Sequence, residues 1–345
     1  MNAISETRIY YFTGTGNSKK VADWLCSEAK QRNIDCSLHN ISQMPDLKPS
    51  PAPDDKQLIF ISPIHGFNYP PVMLKFIANF PRGRNRVVLM NTRAGMKIGK
   101  WITPGVTGIA FYLSALLLLI KGYKIQALKA VDLPSNWVSL HPGLNDPTVL
   151  YLHQKNKERI VRFASSIFSG QRFFRCLLEV YDLFLLPVAA GYYLFGRFFL
   201  SKTFVASHDC NLCGKCVEQC PVQAIKWVDG RPYWTLSCES CMHCMSYCPQ
   251  KAIETCHGSV FVFALIWNAL SLWMTSFLPA IETAVATYPV VAFFVKWVVI
   301  ILMLVFWYRL IHFLMRFRWV ERLVVFTSLT HFKFWGKRYR ALKNL

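Results

Sequence analysis

The sequence predicts an α/β domain built as a doubly wound parallel sheet. A small α+β domain rich in cysteine and an α-helical membrane hairpin follow it. Three observations predict this order. Short apolar runs alternate with helical stretches over the first 170 residues, which is the doubly wound pattern. Eight of the 12 cysteines crowd into the 39 residues from Cys210 to Cys248. Two apolar stretches beyond residue 258 are long enough to cross a bilayer.

Taken in order, Ile9-Tyr10-Tyr11-Phe12 reads as a buried parallel strand. Thr13-Gly14-Thr15-Gly16-Asn17-Ser18 follows directly, then a helix to about Lys30. A strand, a loop of small hydroxyls and glycines, and a helix N-terminus together make a phosphate cradle. The glycines let backbone N–H groups face one centre, the hydroxyls of Thr13, Thr15 and Ser18 add donors, and the helix adds its dipole. The loop is neither the nucleotide P-loop nor the dinucleotide fingerprint, whose Gly and Lys spacings are absent. Further strands are expected over 34–41, 57–62, 86–90 and 123–131, with helices at about 72–80, 105–120 and 149–168. Pro45 to Pro53 is a proline-rich connection. Ligands of such sheets bind beyond the C-terminal strand ends. Pro63 to Tyr69 and Asn91 to Gly95 are therefore expected as loops beside the cradle. Ala115 to Ile120 is too short to span and is read as part of a helix packed on the sheet.

At Thr13 to Ser18 the chain resembles the flavodoxins, whose first loop of the form Thr-x-Thr-Gly-Asn-Thr holds the phosphate of FMN. Ser18 replaces the last Thr and keeps the hydroxyl. The resemblance implies a flavodoxin-like domain over residues 1–170 with Pro63, His65, Gly66, Phe67, Asn68 and Tyr69, and Asn91, Thr92, Arg93, Ala94 and Gly95, flanking the isoalloxazine ring. It further implies that Phe67 or Tyr69 stacks on the flavin, and that the N–H groups of Ala94 and Gly95 reach a flavin carbonyl.

Phe173 to Leu200 is apolar but broken by Arg175, Glu179, Asp182 and Arg197, with only 14 clean residues from Leu183 to Gly196. That length favours a linker over 171–200 that packs under the next domain or lies in the interface.

The two cysteine runs are Cys210-x-x-Cys213-x-x-Cys216-x-x-x-Cys220-Pro221 and Cys238-x-x-Cys241-x-x-Cys244-x-x-x-Cys248-Pro249. Each fits the bacterial pattern for a 4Fe–4S cubane, in which one short loop wraps three corners and the fourth Cys serves the other cluster. Zinc more often uses two separated Cys-x-x-Cys pairs, and disulfides suit small secreted domains. One cluster is thus assigned to Cys210, Cys213, Cys216 and Cys248, the other to Cys238, Cys241, Cys244 and Cys220. Both runs end Cys-Pro-x-x-Ala-Ile, an internal repeat that resembles two-cluster ferredoxins and places their domain at 201–256. His208, Asp209 and His243 are read as neighbours of the ligands. Cys26, Cys36, Cys176 and Cys256 follow no pattern and are expected to be reduced.

Ser259 to Ile281 carries no charge over 23 residues, about 34 Å as a helix. Tyr288 to Tyr308 carries only Lys296, read as snorkelling or paired with Glu282. The two form a hairpin over 257–310. Between Arg309 and Leu345 stand nine Lys/Arg and one Glu, a basic tail over 311–345 suited to anionic lipid. Lys251 precedes the hairpin and its loop carries no Lys or Arg, so both ends are expected on the cytoplasmic side. No signal peptide pattern opens the chain, which agrees with cytoplasmic cofactors. The net charge of +20 comes without a nucleic-acid motif.

The whole resembles flavodoxin–ferredoxin fusion proteins over residues 7 to 256, with the membrane segment outside that likeness. The resemblance implies two 4Fe–4S clusters and FMN exchanging single electrons, with a redox partner protein or a small acceptor beyond them. A second function class is a membrane-tethered ferredoxin whose first domain is a flavin-free docking module. No acid–base pair or nucleophile marks a catalytic site.

Overall fold

The computed structural model describes residues 4–44, 53, 55–99, 101–174, 180–277, 283 and 286–337. Strands β1 (Glu6–Tyr11), β2 (Asp35–Asn40), β3 (Gln57–Pro63) and β4 (Arg86–Ile98) belong to one sheet. The short β5 (Trp101–Thr103) returns antiparallel on the end of β4, and β6 (Lys124–Pro134) pairs with β4 in parallel. The parallel order is β2-β1-β3-β4-β6. It reverses between β1 and β3, as in the flavodoxin-like doubly wound sheet.

Helices α1 (Asn17–Lys30), α2 (Pro71–Asn79), α3 (Ala110–Ile120) and α4 (Asp146–Phe168) cover both faces. Val21 and Leu25 of α1 join Ile160 and Phe163 of α4 against Ile9, Ile59 and Val88. Met73 and Phe76 of α2 join Phe111 and Leu118 of α3 against Tyr10, Phe60 and Leu89. Burial on both faces explains why these strands read as unbroken apolar runs.

Two expectations for this domain are corrected. Asn91 to Gly95 is strand and not loop, because β4 continues in register with β6 from Asn91↔Ala130 to Gly95↔Pro134. The buried pair of Arg93 Nε with Asp132 Oδ1, 2.7 Å apart, ties the two strands side by side there. Cys26 and Cys36 are bonded to each other, with Cα atoms 5.5 Å apart, and are not two reduced thiols. α1 packs along β2, so a cysteine on its buried face meets one on the strand. Cys176 lies outside the described residues.

After α4 the chain forms one helical run, α5 (Tyr181–Ser201), longer than the clean 14 residues from Leu183 to Gly196. Pro187 sits in the first turn of an α-helical segment, where its missing N–H costs no bond. Gly191 keeps helical angles, and a π-turn over Tyr192–Gly196 carries the run onward.

The cysteine domain contains β7 (Phe204–Ala206), α6 (Lys215–Glu218), β8 (Ile225–Val228), β9 (Arg231–Trp234), α7 (His243–Tyr247) and β10 (Ile253–Thr255). β7 pairs with β10 and β8 with β9, both antiparallel. The repeated Ala224 and Ala252 are fully buried, and each is preceded by a residue in left-handed backbone, Gln223 and Lys251.

Beyond it stand α8 (His257–Phe277), α9 (Pro289–Leu314) and α10 (Arg318–Phe326). Among the described residues three helices are long and apolar enough to cross a membrane: Tyr181–Ser201, His257–Met274 and Pro289–Leu314. They touch one another, since Phe195 stacks on Trp297 at 4.1 Å and Phe199 meets Phe263 edge-on. Lys296 is exposed on α9, while Glu282 lies outside the described residues.

The basic segment after α9 folds back and does not trail as a tail through Lys337. Val320 and Val324 of α10 pack on Val205 and Cys256. Thr330 Oγ1 accepts from Thr255 N at 2.9 Å and donates to Glu254 Oε2 at 2.6 Å. Residues 338–345 of the expected tail lie outside the described residues.

Candidate functional site

The loop after β1 is closed by its own chemistry. Thr13 Oγ1 accepts from Gly16 N at 3.0 Å, and Gly16 takes φ +103°, a conformation that disfavours any side chain. α1 then starts with no side-chain cap, leaving its first N–H groups open to an anion. Two of the expected polar contributors are already engaged. Ser18 Oγ shares a hydrogen bond with Thr92 Oγ1 at 3.0 Å, and Asn17 Nδ2 donates to Pro134 O at 2.8 Å. They brace the cradle against β4 and β6.

A cleft opens behind this loop. It is lined by Thr13, Gly14, Thr15, Asn17 and Ser18, by Pro63, Ile64 and His65, and by Thr92, Arg93 and Ala94. The other expected residues stand elsewhere. Residues 65–68 form a tight turn, His65 N donating to Asn68 O at 2.8 Å, with Gly66 and Phe67 in left-handed backbone. Phe67 turns its carbonyl to Ile109 N at the start of α3. Asn68 Oδ1 accepts from Tyr69 N. Tyr69 is fully buried and donates to Met90 O at 2.9 Å, so it is a core residue and not a stacking ring. Asn91 is buried against Thr107, and Gly95 lies against the Asp132 backbone, where a Cβ would not fit.

Sequence reasoning missed two parts of the wall. Pro134 ends β6, and Ser135, Asn136 and Trp137 come from the loop after it. The rule that ligands gather at C-terminal strand ends already pointed to that loop. Ser240, Cys241 and Met242 come from the second cysteine run, and no local signal in either domain marks that neighbour. Four polar atoms in the wall are buried with no hydrogen-bond partner: His65 Nδ1, Asn136 Oδ1, Trp137 Nε1 and Ser240 Oγ. Native interiors pair such atoms, so this set fits a polar ligand in the cleft. Burial lowers the His65 pKa to about 4, so the imidazole is neutral at pH 7.

The cysteines stand around two further cavities. Cys210, Cys213, Cys216 and Cys248 line one, Cys220, Cys238 and Cys241 line the other, and Cys244 stands in the wall of both. Backbone N–H groups point at the sulfurs: Ala224 N lies 3.2 Å from Cys220 Sγ, Ala252 N 3.4 Å from Cys248 Sγ, and Ser240 N 3.4 Å from Cys238 Sγ. Such bonds favour thiolate and tune the potential of a cluster. Without a cation, burial pushes Cys216 up to about 11 and Cys238 up to about 12, and raises Cys241 and Cys244 further. Iron would displace those protons. Burial also raises Glu239 to about 7, opposed by the Arg197 charge.

Residues 209–253 match the family model of the 4Fe-4S dicluster domain. The chain joins a flavodoxin-like domain to a dicluster ferredoxin domain.

Among solved structures, oxidised flavodoxin 1 from Bacillus cereus is 14% identical at TM-score 0.32, over 47% of this chain and 95% of its own. A flavodoxin from the domain Archaea is 15% identical at TM-score 0.29, over 46% and 96%. The two-electron reduced flavodoxin of Megasphaera elsdenii is 15% identical at TM-score 0.27, over 44% and 98%. Comparison with curated proteins gives no match. The fold assignment of the first domain rests on its strand order.

Proposed function

We propose that this chain is a membrane-anchored electron-transfer protein that passes single electrons between two 4Fe–4S clusters and an FMN. One observation carries the reading. The cleft behind the phosphate loop and the second cysteine cavity share Cys241 as a common wall. A flavin site and a cluster site divided only by the Ser240–Met242 segment suit electron exchange.

In this reading Cys210, Cys213, Cys216 and Cys248 hold one cubane, and Cys220, Cys238, Cys241 and Cys244 the other. When bound, the clusters supply one-electron steps and FMN links those to two-electron chemistry. The Thr13–Ser18 loop and the open end of α1 hold the phosphate. His65 and Trp137 are the rings that line the cleft and flank the isoalloxazine. Asn136 and Ser240 supply polar contacts from opposite walls. The apolar helices anchor the molecule, and Lys251 with the basic residues after α9 places the cofactors on the cytoplasmic side. Donor and acceptor are a redox protein or a small molecule.

The flavin-free alternative draws on Ser18 and Asn17, which already have protein partners. Gly16→Val separates the two readings, because a β-branched residue opposes φ +103°. Purified anaerobically, the variant is expected to lose FMN and keep about eight irons per chain. Loss of both would contradict the division into two sites.

A further inference from the structure

We propose that the cubane of Cys220, Cys238, Cys241 and Cys244 is the immediate partner of the flavin, and that the cubane of Cys210, Cys213, Cys216 and Cys248 is the outer carrier. The inference rests on the reading above and adds the order of the carriers.

Of the eight cysteines only Cys241 lines the flavin cleft, and it belongs to the first of these groups. The approach is as close as a backbone permits. A Cβ on Gly14 would overlap the carbonyl and the Cβ of Cys241, so only glycine lets the phosphate loop lie against the cluster loop. α7 locks this junction. His243 Nδ1 donates to Gly14 O at 2.5 Å, and the Tyr247 ring stacks on His243 at 4.5 Å with its hydroxyl beside Gly16. The same short helix carries Cys244, which stands in the wall of both cavities, and leads into Cys248 of the outer one.

None of Cys210, Cys213, Cys216 and Cys248 lines the cleft, and the His243 and Tyr247 rings stand between the outer cavity and the phosphate loop. Cys213 is exposed at its rim, beside Leu212 at 56% exposure and Trp227 at 44%. Electron exchange weakens steeply with distance, so the exposed cluster trades electrons with a redox partner and the inner one with the flavin. At the junction one electron leaves one cofactor and enters the other. One is oxidised, the other reduced, no bond breaks, and no third reactant takes part.

The test reads the 31P resonance of the FMN phosphate in the full chain, in detergent, oxidised and then reduced with dithionite. A reduced cubane is paramagnetic and broadens a nearby nucleus with a very steep distance dependence. Cys213→Ser and Cys220→Ser each lie outside the cleft and are each expected to retain about four irons. The Cys213→Ser protein keeps the broadening of the unsubstituted protein, and Cys220→Ser loses most of it. The reverse pattern, or equal loss in both, overturns the order. An unsubstituted protein that holds iron but gives no FMN resonance overturns the underlying reading instead.

Discussion

Arg93 and Asp132 show how a polar pair settles a site. Arg93 Nε bonds Asp132 Oδ1, Arg93 Nη1 donates to Thr107, and Gly105 N donates to the same Asp132 oxygen. Arg93→Ala leaves a buried carboxylate without its cation. It is expected to cost about 3–5 kcal/mol, read as a fall in the thermal unfolding temperature of the first domain. Like His65, whose pKa also falls to about 4, His153 contributes to the pH dependence. Burial beside Lys20 lowers its pKa to about 4, against 6.5 when exposed. The unfolded chain therefore binds a proton first as pH falls. Stability is full above about pH 6.5 and declines toward pH 4, by at most about 3 kcal/mol for this one group. His153→Phe should flatten the slope in that window. At this scale the eight cysteines and the Thr13–Ser18 loop were legible, because their chemistry is local. Tyr69 was not. An aromatic after a strand reads alike whether it faces a ligand or the core, and only the Met90 carbonyl decides.

Elements were legible where their period is clear. The strand and helix order of the first domain follows from apolar runs buried on both faces. The end of β4 was misread because Asn91 to Gly95 has loop composition. Partnership with β6, which no local pattern records, makes it strand. The run Tyr181–Ser201 was hidden by its own Pro187 and Gly191, both tolerated at their positions in the helix. α9 also packs on the cysteine domain. Tyr308 Oη donates to Phe204 O at 2.9 Å and accepts from Trp234 N at 3.3 Å, stitching the helix to the cluster domain. Tyr308→Phe strands a buried N–H and a carbonyl, with an expected cost of about 1–3 kcal/mol in denaturant unfolding of the cluster domain.

At the scale of the whole molecule the domains interlock. The phosphate loop lies on the second cysteine run, Tyr192 of α5 fills the space over Gly66, and Trp335 reaches back to Val138 O at 2.8 Å. Contacts between distant parts of the chain were beyond reading from sequence, since each residue satisfies its own domain's pattern equally well without them. Together they hold the two cysteine cavities between the cleft and the apolar helices. Alkaline carbonate is expected to leave the chain in the membrane pellet, and release into the supernatant would contradict anchoring by α8 and α9. The most direct measurement of the central claim is the cofactor content of the full chain, extracted in detergent and purified without oxygen. The prediction is one FMN with about eight irons per chain. About eight irons with no flavin would contradict it.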